Sequence, residues 1–175
     1  MNAALQPSAF SPQPYFSTPP RLAALQDAAD RWLGTPFHAH GRICGPRGGC
    51  SCETLVQMLY YEAAFLPEHF RIPIGPLDWH RAAQHSIITP FVDARPEFQR
   101  VAIERAAAGD LLGFRIGEIL HHLAILLAGG RFIHCLRPLG VHWSCLADAT
   151  WRKRLAVVWR PVVLERGHPG RFELL

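Results

Sequence analysis

The chain is 175 residues long, 49% hydrophobic, with a formal charge of +4, which supplies one sizeable core and little excess for a second domain. So modest a charge, with no basic run carrying interleaved aromatics, excludes nucleic acid as the expected partner, and no apolar stretch reaches the length of a membrane span. Five cysteines are an odd number in a chain that needs no staples, so a reducing folding environment without a disulfide framework is expected.

Met1 to Pro20 carries Pro7, Pro12, Pro14, Pro19 and Pro20 and reads as an extended arm, with a single domain running from 21 to 175. The arm lacks a basic segment followed by an apolar core, so no secretory signal is expected and the protein is expected to be cytoplasmic as synthesised. From Arg21 to Leu33 an alanine-rich stretch places Leu22, Leu25, Ala29 and Trp32 at helical spacing, closed by Gly34 and Pro36. This helix is expected to pack near the next one.

That next helix follows a glycine-rich loop. In Gly48-Gly49-Cys50-Ser51-Cys52-Glu53-Thr54 the chain turns from loop to helix, and Leu55, Val56, Leu59, Tyr60 and Ala63 give it one apolar face. Ser51 is the natural N-cap, which leaves Cys52 beside the remaining backbone donors and the positive end of the helix. A thiol there is expected to lose its proton readily and to act as a nucleophile. Cys50 lies in the loop before the helix dipole and is expected to serve packing. Cys50-Ser51-Cys52 is spaced too tightly for the usual zinc knuckle, with Cys44 six residues earlier, so neither a metal nor a cofactor is expected.

Between Pro67 and Pro96 prolines and aromatics dominate, with a short helix expected around Asp78 to His85 and a position bordering the cleft. His69, His80 and His85 in this insertion read as surface or packing groups. Strands follow at Gly109–Phe114, Leu120–Leu127 and Arg131–Leu136, the last two joined across Gly129-Gly130. His122 and His134 then stand on neighbouring antiparallel strands, and the loop decides whether they meet. A two-residue Gly129-Gly130 turn pairs His122 with Arg137 and sends the two histidines to opposite faces. A three-residue loop, Ala128 to Gly130, makes them diagonal neighbours on one face at roughly 7–8 Å between backbones. A catalytic pair requires the second, or a bulge. Strand alternation sends His121 to the face opposite His122, so only one of them is expected to meet Cys52. Trp151-Arg152-Lys153-Arg154 reads as a solvated edge, and the closing strand from Leu155, interrupted by Pro161, reads as an edge strand or a bulge.

Taken in order, Trp32-Leu33-Gly34-Thr35-Pro36-Phe37, the glycine loop into Cys52, Gly109-Asp110-Leu111-Leu112, His122-Leu123-Ala124-Ile125 and Phe132-Ile133-His134 resemble the NlpC family of cell-wall cysteine peptidases, in particular its phage-tail and prophage branch. The resemblance implies an α+β, papain-like fold with N-terminal helices packed on an antiparallel sheet. It implies Cys52 as nucleophile, His122 as base and His134 as the group that orients it, with the oxyanion received by backbone N–H groups at the start of the Cys52 helix. The implied substrate is a peptidoglycan stem peptide, cut between D-glutamate and diaminopimelate. Phe37, Ser51, Glu53 and His121 are the expected substrate-contacting residues.

This sequence departs from the family pattern in three places. Ser51 replaces the aspartate usual before the nucleophile, Glu53 and Thr54 replace small residues after it, and Phe37 stands where many members carry tyrosine. Delivery to the wall would use a phage tail, lysis or a secretion apparatus, with phage-tail proteins as partners in the first case. A papain-like thiol acyltransferase or thioesterase, and a decayed tail-assembly or wall-docking module, are the alternative readings of the same residues.

Overall fold

The computed structural model describes residues 12–75 and 85–164. The helix expected around Asp78 to His85, with His80, falls almost entirely outside them. Helix α1 (Pro19–Trp32) starts on two prolines, whose fixed φ suits a first turn, and buries Leu25, Ala28, Ala29 and Trp32. A two-stranded ribbon, β1 (Arg42–Ile43) and β2 (Gly49–Cys50), leads into helix α2 (Cys52–Glu62). The expected apolar face of α2 is the one buried: Leu55, Val56, Leu59 and Tyr60 are fully enclosed. As expected, α1 packs on α2, and Trp32 Nε1 donates to Glu62 Oε1 at 2.8 Å.

After the short helix α3 (Ile88–Asp93) come β3 (Phe98–Val101), β4 (Leu111–Ile116), β5 (Ile119–Leu126), β6 (Arg131–Leu136) and β7 (Gly140–Cys145), then helix α4 (Ala149–Arg154) and β8 (Leu155–Pro161). The six strands form one antiparallel sheet in the order β3-β8-β4-β5-β6-β7. Period-2 alternation gives the sheet two apolar faces. Leu111, Leu123, Ile125, Ile133 and Trp159 join the core shared with α1 and α2. Leu112, Phe114, Ala124, Leu126, Phe132 and Val158 form a second cluster on the opposite face, against which Trp151 packs.

Two expectations are corrected. Strand β8 is an inner strand, flanked by β3 and β4; Pro161 is tolerated because it is the last residue of the strand, and the register shift on β8 lies instead opposite Gly113 and Phe114. Trp151 to Arg154 is not a strand edge but part of α4, started by Asp148, whose Oδ1 accepts from Thr150 N at 2.7 Å; Arg152, Lys153 and Arg154 are exposed as expected, and Trp151 is half-buried.

Ahead of α1, the segment from Gln13 to Phe16 lies along the end of β8: Tyr15 N donates to Pro161 O at 2.8 Å and Val163 N to Gln13 O at 2.8 Å. Phe16, 5% exposed, stacks on Tyr60 with ring centroids 5.7 Å apart. Asp110 at the head of β4 takes both Arg160 Nε (2.9 Å) and Nη2 (2.8 Å) from β8 while accepting from Ala107 N at 2.8 Å. A buried carboxylate so fully bonded fixes where the central strands begin.

Candidate active site

The start of α2 is held by a reciprocal cap. Ser51 Oγ accepts from Thr54 N (3.4 Å) while Thr54 Oγ1 accepts from Ser51 N (2.8 Å). That cap uses the N–H groups of Ser51 and Thr54, and leaves those of Cys52 and Glu53 as the first-turn donors the cap does not engage. Ser51 Oγ also donates to Glu53 Oε2 at 2.6 Å, which pins a carboxylate beside the cysteine.

Cys52 forms part of the wall of a cavity of about 320 Å³, together with Phe37, Ser51, Glu53, His121, His122, Cys135 and Arg137 and a belt of isoleucines and leucines. Its Sγ lies 3.9 Å from His121 O. The expected acidic thiol is not found. Burial, then the Glu53 carboxylate, push the Cys52 thiol well above its ordinary value, and the Leu123 N–H only partly offsets them. Desolvation of a thiolate outweighs the half-charge at a helix end. Behind Cys52, Cys135 Sγ donates to Cys50 O at 3.1 Å, and the Cys50 thiol is pushed up by its contact with Cys135 and by burial. The packing role expected for Cys50 is what its full enclosure gives it.

The loop between β5 and β6 has the three residues that a histidine pair requires. Leu127 N donates to Arg131 O at 2.7 Å, Leu126 pairs with Phe132, and Ala128–Gly130 makes the turn with Gly129 and Gly130 at φ 71° and 73°. His122 and His134 are therefore diagonal neighbours on one face. Their rings join through His122 Nε2 and His134 Nδ1 at 2.9 Å, with centroids 5.1 Å apart. Phe114, Phe132 and Trp151 surround the pair, with the Trp151 ring 5.7 Å from His122 and 4.8 Å from His134.

Both imidazoles are buried and held neutral. Burial first, then the neighbouring histidines, lower His122 to about 3 and His134 to about 2, with Arg154 adding to the effect on His122. The ring nitrogen of His122 not engaged by His134 is Nδ1, and the residue borders the cavity that Cys52 borders.

His121 departs from the alternation expected of it. The β4–β5 register runs from Phe114↔His122 to Arg115↔Leu120, so His121 is the extra residue of a bulge. Both His121 and His122 consequently reach the cavity wall, and the His121 carbonyl touches the sulfur.

Three groups were not singled out by sequence: Ser144, whose Oγ meets His134 Nε2 at 2.9 Å; His142, with its ring 4.2 Å from that of His134; and Trp151. The alternation in Val141-His142-Trp143-Ser144 was the available signal for a strand beside β6. Among the described residues, no group of three or more His, Cys, Asp or Glu is placed to hold a metal ion, and no helix is long and apolar enough to cross a membrane.

Residues 34–160 match the family described as NlpC/P60 family. Among solved structures, the chain is similar to a lipoprotein-like member of the NLP/P60 family from Staphylococcus aureus subsp. aureus Mu50 (24% identity, TM-score 0.60). That match covers 89% of this chain and 45% of the other, so this chain spans less than half of that protein. The chain is also similar to the NlpC/p60 domain of the peptidoglycan hydrolase SagA, at 21% identity and TM-score 0.50 over 81% of this chain and 97% of that one. A third likeness is to RipD from Mycobacterium tuberculosis, a non-catalytic NlpC/p60 domain protein adapted to peptidoglycan binding, at 16% identity and TM-score 0.51 over 82% and 98%. No curated protein matches the chain. At such identities the likeness carries the fold, which is α+β and papain-like.

Proposed function

Since the chain belongs to the NlpC/P60 family, whose members are generally peptidoglycan hydrolases, we propose that it is a cysteine peptidase cleaving peptidoglycan stem peptides. The bond cut is the one between D-glutamate and diaminopimelate. One observation carries this reading: Cys52 and His122 border the same cavity, and His122 is bonded through Nε2 to a second buried histidine.

The chemistry runs from a neutral resting pair. Burial keeps the thiol protonated and the imidazole uncharged, so the proton leaves sulfur as the sulfur attacks the amide carbonyl, with His122 Nδ1 accepting it. His134 holds the tautomer by accepting the Nε2 proton of His122 at its own Nδ1. The oxyanion is received by the free first-turn N–H groups of Cys52 and Glu53. His122 then returns its proton to the leaving amine, and water hydrolyses the thioester by the same route. Phe37, Ser51, Glu53 and His121 contact the stem peptide.

A muropeptide digest read by mass spectrometry tests the proposal. The wild-type chain is expected to release fragments ending at D-glutamate, whereas Cys52→Ala and His122→Ala release none. Binding of intact peptidoglycan without cleavage would replace this reading with the non-catalytic one described for RipD. Transfer to acyl thioesters, with muropeptides untouched, would favour an acyltransferase.

A further inference from the structure

The two bonded histidines are not the end of the chain of polar groups. Beyond them, on β7, Ser144 Oγ sits 2.9 Å from His134 Nε2. We infer that Ser144 is a positioning residue, acting through His134 to keep Nδ1 of His122, the nitrogen His134 does not engage, free to accept a proton; this rests on the peptidase reading.

The argument is one of proton counting along the chain of nitrogens. Between His122 Nε2 and His134 Nδ1 there is one hydrogen, and a neutral imidazole carries one N–H. If it sits on His134 Nδ1, His134 Nε2 is an acceptor, and His122 must carry its own proton on Nδ1. That nitrogen is then blocked as a base. If it sits on His122 Nε2, Nδ1 is open as a base, and His134 must carry its proton on Nε2, inside a cluster of aromatic rings. A buried N–H without a partner is costly, and that cost would favour the blocked arrangement. Ser144 Oγ removes it by accepting from His134 Nε2, so both imidazole protons are bonded in the productive arrangement.

The same arrangement serves when His122 becomes an imidazolium, because its Nε2–H still points at a lone pair and no proton need move. Among the described residues, the hydrogen-bond partner of His134 Nε2 is Ser144 Oγ. His142, also on β7, has its Nδ1 on Gly140 O at 2.9 Å, and His121 on β5 and Arg154 on α4 act on His122 through charge.

The test reads tautomers directly and needs no turnover. Two-bond 1H–15N correlations are recorded on the full chain labelled with 15N-histidine, at pH 7. Both His122 and His134 are expected as Nε2–H in the wild type. Ser144→Thr keeps the hydroxyl and is expected to retain that pattern. Ser144→Val, of the same shape as threonine, and Ser144→Ala are expected to lose it, with His134 moving toward Nδ1–H. Finding Nδ1–H on His134 in the wild type, or an unchanged pattern in both Val and Ala variants, would overturn the inference.

Muropeptide cleavage supplies the second arm. Loss of the hydroxyl is expected to lower kcat roughly three- to tenfold with KM unchanged, the scale of one hydrogen bond, and threonine to restore it. A wild-type chain with the expected tautomers but no cleavage sinks the peptidase reading and leaves the tautomer latch standing. A tautomer shift in the Val and Ala variants without loss of kcat in an active enzyme overturns the role assigned to Ser144.

Discussion

Lowering the pH from 7 to 5 is expected to destabilise the fold by about 4 kcal/mol through His122 and His134 alone. Each ring stays neutral when folded at a pH where it would charge in the unfolded chain, so the unfolded state is the better proton acceptor. The stability associated with each ring is therefore complete above an ordinary histidine value of 6.5 and is lost as pH falls toward the folded values of about 3 and about 2. Within that window each imidazole contributes a slope of up to about 1.4 kcal/mol per pH unit. Integration from pH 7 to 5 gives about 1.9 kcal/mol for each ring, set against a total of about 5–15 kcal/mol for a typical domain. The result barely depends on the folded values as long as both stay under about 4, since both rings are then neutral at pH 5. Asp93, held below the usual carboxylate range by Arg100, releases its contribution only at lower pH. Urea unfolding at pH 7, 6 and 5 measures the slope, and His134→Gln, which removes one titrating ring, should halve it. A free energy of unfolding that stays level over this range, or a full slope in the His134→Gln chain, refutes the reasoning.

Replacing Glu53 by glutamine removes the carboxylate that raises the Cys52 thiol, so the midpoint of the pH profile for iodoacetamide alkylation of Cys52 should move to lower pH; an unmoved midpoint would show that burial alone sets it. Ser51→Ala breaks the reciprocal cap and should cost about 1 kcal/mol in thermal or chemical denaturation, with the Glu53 carboxylate losing its 2.6 Å donor. Trp151→Ala opens the cover over the histidine pair. It should cost about 2–4 kcal/mol and raise both imidazole pKa values in an NMR titration, whereas a loss of stability without that rise would make Trp151 a packing residue only.

The features legible in the sequence were those fixed by short-range geometry. Ser51 before an apolar helical face read as a cap, and whether His122 and His134 share a face came down to the length of one loop, which the structure sets at three residues. What escaped depended on long-range packing. The bulge at His121 is set by how β5 fits β4, and strict alternation could not foresee two adjacent histidines on one cavity wall. The acidity expected of Cys52 followed from its helix end, but its surroundings, supplied by Glu53 and a sheet 69 residues away in sequence, reverse it. Trp151 lies beside a basic run that looked solvent-facing, and only the turn of α4 brings its ring over the imidazoles. Ser144 was hidden because its contact with His134 depends on how β7 pairs with β6, where it stands opposite Phe132 and diagonal to His134.

The indole of Trp151, laid edge-on over His134 and near His122, gives the molecule its own optical gauge. A charged imidazolium in contact with an excited indole quenches its emission, whereas a neutral ring does so far less. With the other four of the five tryptophans exchanged for phenylalanine, the brightness of this one residue would follow the arrival of a proton on the histidines in real time, from within the fold and without a dye.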